Sequence, residues 1–478
     1  MSLLATALLV VSQPLLSEQC RPTTQRDARA LVQRSVAALG LDKMETQVRM
    51  SSAKHVFNMK FQSDRMYPPY LWMGWDAKVA MDWQGGTIRV ERAFGPQTMS
   101  YLADSARRVA ITPRGVMLMP ATNSSVIDER ALDPWAVLAD WRTTDAQVTG
   151  ECMYRDYWRT VLTRSTATGT ERLFVDPKTG VPIKLERREP HTLWGDVLVE
   201  YLWSIWTPVK GSSALAPQFA FRMVDGEVDD QRTFEGYAAV SRDSAGMMAI
   251  PDNAVRPPVP PMTGPDTVRA SANTFLLVTR AYTNVITLQR DTVFILDAQT
   301  DQQRAAQDSA WIGKLFPGRH PVVLVVTDLA WPHISGVRYW VAQGATVVSH
   351  RASRDFLTTV VNRKWTLAPD LLEQRRTSAG ALRFRAVEGA LSLAGGRLEV
   401  RPIDGVGSEG GLMVFLPNER FLYAGDYIQG GGPGSFSATY AREVAAAVRR
   451  AAFSPERFAA MHVGLTDWSA LPKFTGVP

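Results

Sequence analysis

Between residues 251 and 265 the chain carries Pro251, Pro257, Pro258, Pro260, Pro261 and Pro265. Proline removes a backbone donor and fixes φ, so a stretch this dense can enter neither a helix interior nor a central strand. It reads as a linker over 249–266, separating a first body over 25–248 from a second over 267–478. Two or three domains are expected of a 478-residue chain. An apolar share of 45% against 21% charged residues is that of a folded protein with real cores.

The formal net charge of +6 is spread along the sequence, with no block of like charges, so nucleic acid is not an expected partner. Residues 3–16 are apolar and are followed by Ser17, Glu18 and Gln19. The run is too short to span a bilayer and reads as a signal peptide over 1–18, which predicts an exported, periplasmic or extracellular protein. A buried first helix is the alternative. No later segment has eighteen uninterrupted apolar residues, so no transmembrane segment is expected in the mature chain. The two cysteines, Cys20 and Cys152, exclude a cysteine metal cluster and leave open a disulfide or two separate buried thiols.

The first body opens with a helical pattern over 28–39 and then alternates like strands, as in Thr87-Ile88-Arg89-Val90-Glu91. Residues 173–175, 176–180 and 181–185 read as strand, turn and strand, and 197–203 and 219–223 as further strands. With its opening helix and its Val181-Pro182-Ile183 exit, this meander loosely resembles the curved half-barrel of bacterial lipoprotein-carrier proteins. That resemblance implies a shelter for acyl chains, which Trp72, Trp75, Trp83, Trp203 and Trp206 would line unless they are core residues.

The second body alternates strands and helices. Strands are expected at 285–286, 293–296, 322–326 and 345–348, with a helix over 301–316. The strand at 322–326 runs into Thr327-Asp328-Leu329-Ala330-Trp331-Pro332-His333, and Ile295-Leu296-Asp297 closes another strand. Further on come Gly405-Val406-Gly407-Ser408-Glu409-Gly410, Phe421-Leu422-Tyr423-Ala424-Gly425-Asp426 and Met461-His462-Val463-Gly464. In this order the segments resemble the metal-binding motifs of the metallo-β-lactamase superfamily. The implied fold class is α+β, an αββα sandwich preceded by an antiparallel, curved N-terminal sheet domain with helices.

The same resemblance implies two metal positions, and this chain has lost much of both. Asp328, Ala330 and Gly407 stand where the family has three histidines, and Pro332 stands where it has an aspartate. Ala, Gly and Pro offer no donor atom, so the first position keeps Asp328 and the shared Asp426 and is too poor for zinc. The second keeps His333, Asp426 and His462, enough for one divalent cation with open positions, zinc, iron or manganese, or for none. A lone histidine or a Gly-Asp turn is also a common structural feature. Paired-metal hydrolysis needs a shared, acidified water and a second cation, so these losses should abolish it or nearly so. Whether the chain is an enzyme at all is left open by these residues.

Gly430-Gly431-Gly432-Pro433-Gly434 lacks the lysine of a phosphate loop and reads as a rim loop. His55, His191, His320 and His350 receive no role, and no Gly-x-Ser-x-Gly or His-Glu-x-x-His pattern occurs. The leading expectation is an exported, degenerate metallo-β-lactamase-like protein that binds a small molecule or partner without turning it over. One alternative is a single-metal hydrolase using His333, Asp426 and His462, with Asp328 as candidate base. The other is a carrier of acyl or other apolar ligands in the N-terminal sheet.

Overall fold

A computed structural model describes residues 19–58, 65–67, 70, 72–94, 97–112, 115–119, 128–166, 169–246, 248–252, 254–255, 266–279, 282–376, 381–406, 409–430 and 437–476. The expected signal segment 1–18, most of the proline-rich linker, Gly407 and Gly431 to Gly434 lie outside the described residues.

Residues 20–241 form a 14-stranded sheet, antiparallel at every step. Two meanders make it, joined where Glu227–Ser241 pairs with Gln47–Asn58. The opening helix is Ala28–Ala38, and Asp27 caps it by accepting from the Ala30 N–H at 2.9 Å. The turn after Gly169–Val175 forms because the Asp176 carboxylate accepts from the N–H groups of Lys178 and Thr179, both at 2.9 Å. Cys20 and Cys152 are joined in a disulfide, which fastens the edge strand Cys20–Arg21 to Gln147–Tyr154.

A second helix, Pro134–Trp141, lies within the bend of this sheet with Trp135, Leu138 and Trp141 buried. Pro134 sits in the first turn, where its missing donor costs nothing, and Asp133 caps the helix. Four of the residues leading into it, Asp128, Glu129, Arg130 and Asp133, are charged and buried, and the three acids meet arginines on the strands. Asp133 pairs with Arg49, Glu129 with both Arg92 and Arg232, and Asp128 with Arg187 at 2.9 Å. Arg187 also faces Glu171 at 3.3 Å, and His55 pairs with Asp230. This hollow is therefore filled by the chain itself and partly lined with ions.

The five tryptophans that a groove would use are dispersed. Trp83 and Trp203 belong to the main core, Trp206 packs against it, Trp72 is exposed, and Trp75 packs against His55 and Phe57. Trp83 also lines, with Val32, Val36, Trp141 and Ala146, a cavity of about 450 Å³ beside the opening helix.

The second body is built of a seven-stranded and a six-stranded sheet. Val322–Val325 is a central strand of the first, parallel to both its neighbours, Thr292–Leu296 and Thr346–His350. Its unbroken apolar run suits burial on both faces. Phe294, Val325, Val348, Val400, Val414 and Tyr423 share one core between the sheets. Helices cover the outer faces: Gln302–Leu315, Val337–Ala342 and Arg354–Asn362 on the first sheet, Ser437–Arg450 on the second. The layers run helix, sheet, sheet, helix. Among the described residues no helix is long and apolar enough to cross a membrane.

Candidate metal centre

The loop after Val322–Val325 is anchored before it reaches any candidate ligand. Thr327 donates its N–H and its hydroxyl to the Asp297 carboxylate at 2.7 and 2.6 Å, and the Tyr423 hydroxyl adds a third bond at 2.9 Å. Burial, together with the charge of Asp328, pushes Asp297 up to about 7. Asp328 Oδ1 then accepts from the Ala330 N–H at 2.9 Å and meets His333 Nδ1 at 2.8 Å. Residues Trp331–Ile334 form a single helical turn, in which Pro332 occupies an N-terminal position that needs no donor.

The second half of the site comes from the other sheet. Gly425 has φ 53°, and a Cβ there would stand 2.3 Å from Thr327 Oγ1, so only glycine lets the Gly425-Asp426 turn approach the loop. The Met461 N–H donates to Gly425 O at 2.8 Å, which brings His462 alongside. His462 Nε2 lies 3.2 Å from Asp426 Oδ1.

The structure thus brings His333, Asp426 and His462 together, with one ligand atom of each within 4.8 Å of the others. His333 and Asp426 are buried and His462 is the exposed member, so the group opens on one side. Two imidazoles and a carboxylate at this spacing fit one borderline cation with room for further ligands. At the other position that the resemblance implies, fewer donors are present. Ala330 is buried without a donor atom, Pro332 offers none, and Gly407 lies outside the described residues.

Asp328, the candidate base or ligand, lies beside this group. It stands outside the three-residue group, and its Oδ1 is engaged by the loop and by His333 Nδ1. A carboxylate on the far nitrogen of an imidazole fixes the ring's orientation and raises its basicity. Asp328 Oδ2 is buried with no hydrogen-bond partner among the described residues. No arginine or lysine pairs with Asp297 or Asp328 among them either. Burial would lower the pKa of His333, but Asp328 and Asp426 outweigh it and lift it to about 9. Three buried carboxylates draw positive charge to this point.

Sequence reading missed Tyr282. Its ring packs against both imidazoles, 5.1 Å from His462 and 5.9 Å from His333 between centroids. Burial and the charge of Asp426 raise its phenol. It is hydrogen-bonded to Thr279, whose N–H donates to Tyr282 O at 2.8 Å, and it stands in no motif, so nothing in the sequence marked it. The other histidines are accounted for structurally. His191 Nδ1 accepts from the Leu193 and Trp194 N–H groups, His350 Nδ1 from Ala352 N–H, His320 meets backbone carbonyls, and His55 pairs with Asp230.

Among solved structures, the DIM-1 metallo-β-lactamase is similar over 45% of this chain and 97% of its own, at 14% identity and a TM-score of 0.33. A metallo-β-lactamase from Pontibacter korlensis is similar over 45% of this chain and 98% of its own, at 15% identity and a TM-score of 0.35. Similarity at that level carries no chemistry across, and the site is read from its own side chains. No protein-family model and no curated protein matches the chain.

Proposed function

We propose that this is an exported protein whose second body, a metallo-β-lactamase-type αββα sandwich, holds one divalent cation at His333, Asp426 and His462. It binds a ligand or partner there and has little or no hydrolytic turnover. The observation that carries this reading is the convergence of the three donor groups within 4.8 Å, from three separate segments. A bound cation would supply Lewis acidity toward an oxygen ligand on the open side. Asp328 orients His333 through Nδ1, and Tyr282 walls the two imidazoles on one flank. The missing donors at Ala330 and Pro332 argue against a second cation and its bridging water. Export is supported by the apolar run at 3–16 and by the Cys20–Cys152 disulfide, a bond favoured in oxidising compartments.

Metal analysis of the purified full chain, followed by titration with zinc and manganese, tests this reading. One equivalent is expected, lost in His333→Ala and in His462→Ala. Two tightly held equivalents, or none, would overturn it. Chelator-sensitive turnover of β-lactams, thioesters or phosphodiesters in the ordinary enzyme range would replace the binding reading with the hydrolase one.

A further inference from the structure

Trp331 stands inside the metal loop, between Ala330 and Pro332, yet its ring is held from the other body. Its neighbours are His191 at 5.1 Å, Trp194 at 5.6 Å and Tyr70 at 6.5 Å, all edge-on. Those residues are themselves fixed. The hairpin tip carrying His191 and Trp194 is tied across the junction: Arg363 donates to Trp194 O at 2.7 Å, and the Asp196 carboxylate accepts from the Thr366 and Leu367 N–H groups at 2.8 and 2.9 Å. At Gly195, with φ 67°, a Cβ would fall 2.1 Å from Lys364 O, so the contact admits only glycine. Leu193 and Met66 are buried in the core that contains Ile334 and Val337.

In a paired-metal loop the cations themselves cross-link several loop residues. Here residues 328, 330 and 332 give the cation no such bond, and protein contacts hold the loop instead, among them the Ala298 N–H to His333 O at 3.1 Å and Asp328 to His333 Nδ1 at 2.8 Å. We propose that the N-terminal body adds a further constraint to those within the second body. Trp331 is a positioning residue, and its cage of Tyr70, His191 and Trp194 sets where His333 stands and hence how tightly the cation is held. The proposal rests on the single-cation reading. It assigns the N-terminal body a part in the site that none of its residues plays by coordination.

The full chain is compared with Trp194→Ala, with Trp331→Phe and with Lys54→Ala, an exposed residue of the N-terminal body that pairs with Glu235. Two quantities are read: cobalt(II) affinity from its visible spectrum, and hydrogen exchange of the Ala330 and His333 amides in metal-free protein. These amides are bonded to Asp328 Oδ1 and Ala330 O and report the loop directly. Trp194→Ala should weaken cobalt binding by about tenfold or more, the usual effect of losing an orienting partner, and should speed exchange at both amides. Lys54→Ala should change neither. Should Trp194→Ala fail to fold, Trp331→Phe carries the same test with a smaller ring. Unchanged affinity, whether or not exchange quickens, overturns the proposal and leaves the cation reading standing. A wild-type chain that takes up no cobalt, zinc or manganese overturns both.

Discussion

The two bodies each bury a histidine against an aspartate, and the two pairs are opposite in character. His55 meets Asp230 in the N-terminal sheet, where burial and the nearby charges of Arg232 and Arg92 bring its pKa down to about 4. His333 meets Asp328 in the metal loop, where Asp328 and Asp426 overcome burial and lift it to about 9. The pair is the same and the surrounding charge decides its behaviour. Around His55 arginines already balance the carboxylates, so the network is closed. Around His333 no arginine or lysine among the described residues faces the carboxylates, and the protonated imidazole itself supplies the balancing charge at neutral pH.

Four experiments can break or sharpen this contrast. The largest effect is expected at the site around His333. Asp426→Ala removes the carboxylate shared by the group and should lower cation affinity by more than about a hundredfold, read by calorimetric titration, with the fold kept by circular dichroism. Comparable loss on substituting Asp230 would show that the two pairs are not distinct.

Next is the closed network. Asp133→Ala leaves Arg49 buried and unpaired and uncaps the helix Pro134–Trp141, and should cost about 3–5 kcal/mol in urea unfolding. A change below about 1 kcal/mol would mean that water enters the hollow and screens these charges.

The third test uses pH on metal-free protein. His333 has a folded pKa above its unfolded value, so its contribution is complete below about 6.5 and is lost as pH rises through about 9. His55 has a lowered folded pKa, so stability should rise with pH between about 4 and 6.5. Bound zinc should abolish the alkaline loss and, because protons compete for His333 and His462, should steepen the acid limb, as followed by thermal unfolding. An alkaline limb that persists with zinc bound would place the titrating group elsewhere.

The smallest effect belongs to the surface. Arg351→Ala removes an exposed pair with Glu388 at 3.4 Å and should change stability by less than about 1 kcal/mol, the baseline against which the buried pairs are measured.

Much of the second body was legible in the sequence because its signals are local. Residues 322–326 read as a buried strand from their unbroken apolar run, and the Gly425-Asp426 turn needs only two adjacent residues to announce itself. The ionic filling of the first body was not legible. Arg187 and Glu189 alternate along the strand Pro182–His191 and so look like a solvated face, while Asp128-Glu129-Arg130 looks like a surface loop. Only the return of that segment into the bend of the sheet makes them interior. The contact of Asp328 with His333 was not legible either, because sequence shows the residue type and position but not which nitrogen of the ring it faces. The cage around Trp331 was hidden for a simpler reason: Tyr70, His191 and Trp194 come from the other body, far from it along the chain.

The seam between the two meanders of the large sheet has a consequence for how the protein is made. His55 and Asp230, partners across that seam, are 175 residues apart. A chain synthesised from its N-terminus must therefore carry the edge of Gln47–Asn58 open until Glu227–Ser241 has emerged. Non-local strand pairing of this kind folds slowly, and an unpaired edge invites the wrong strand. Half-made chains are the vulnerable species, and the yield of intact protein is governed by how long that edge is shielded before its partner arrives.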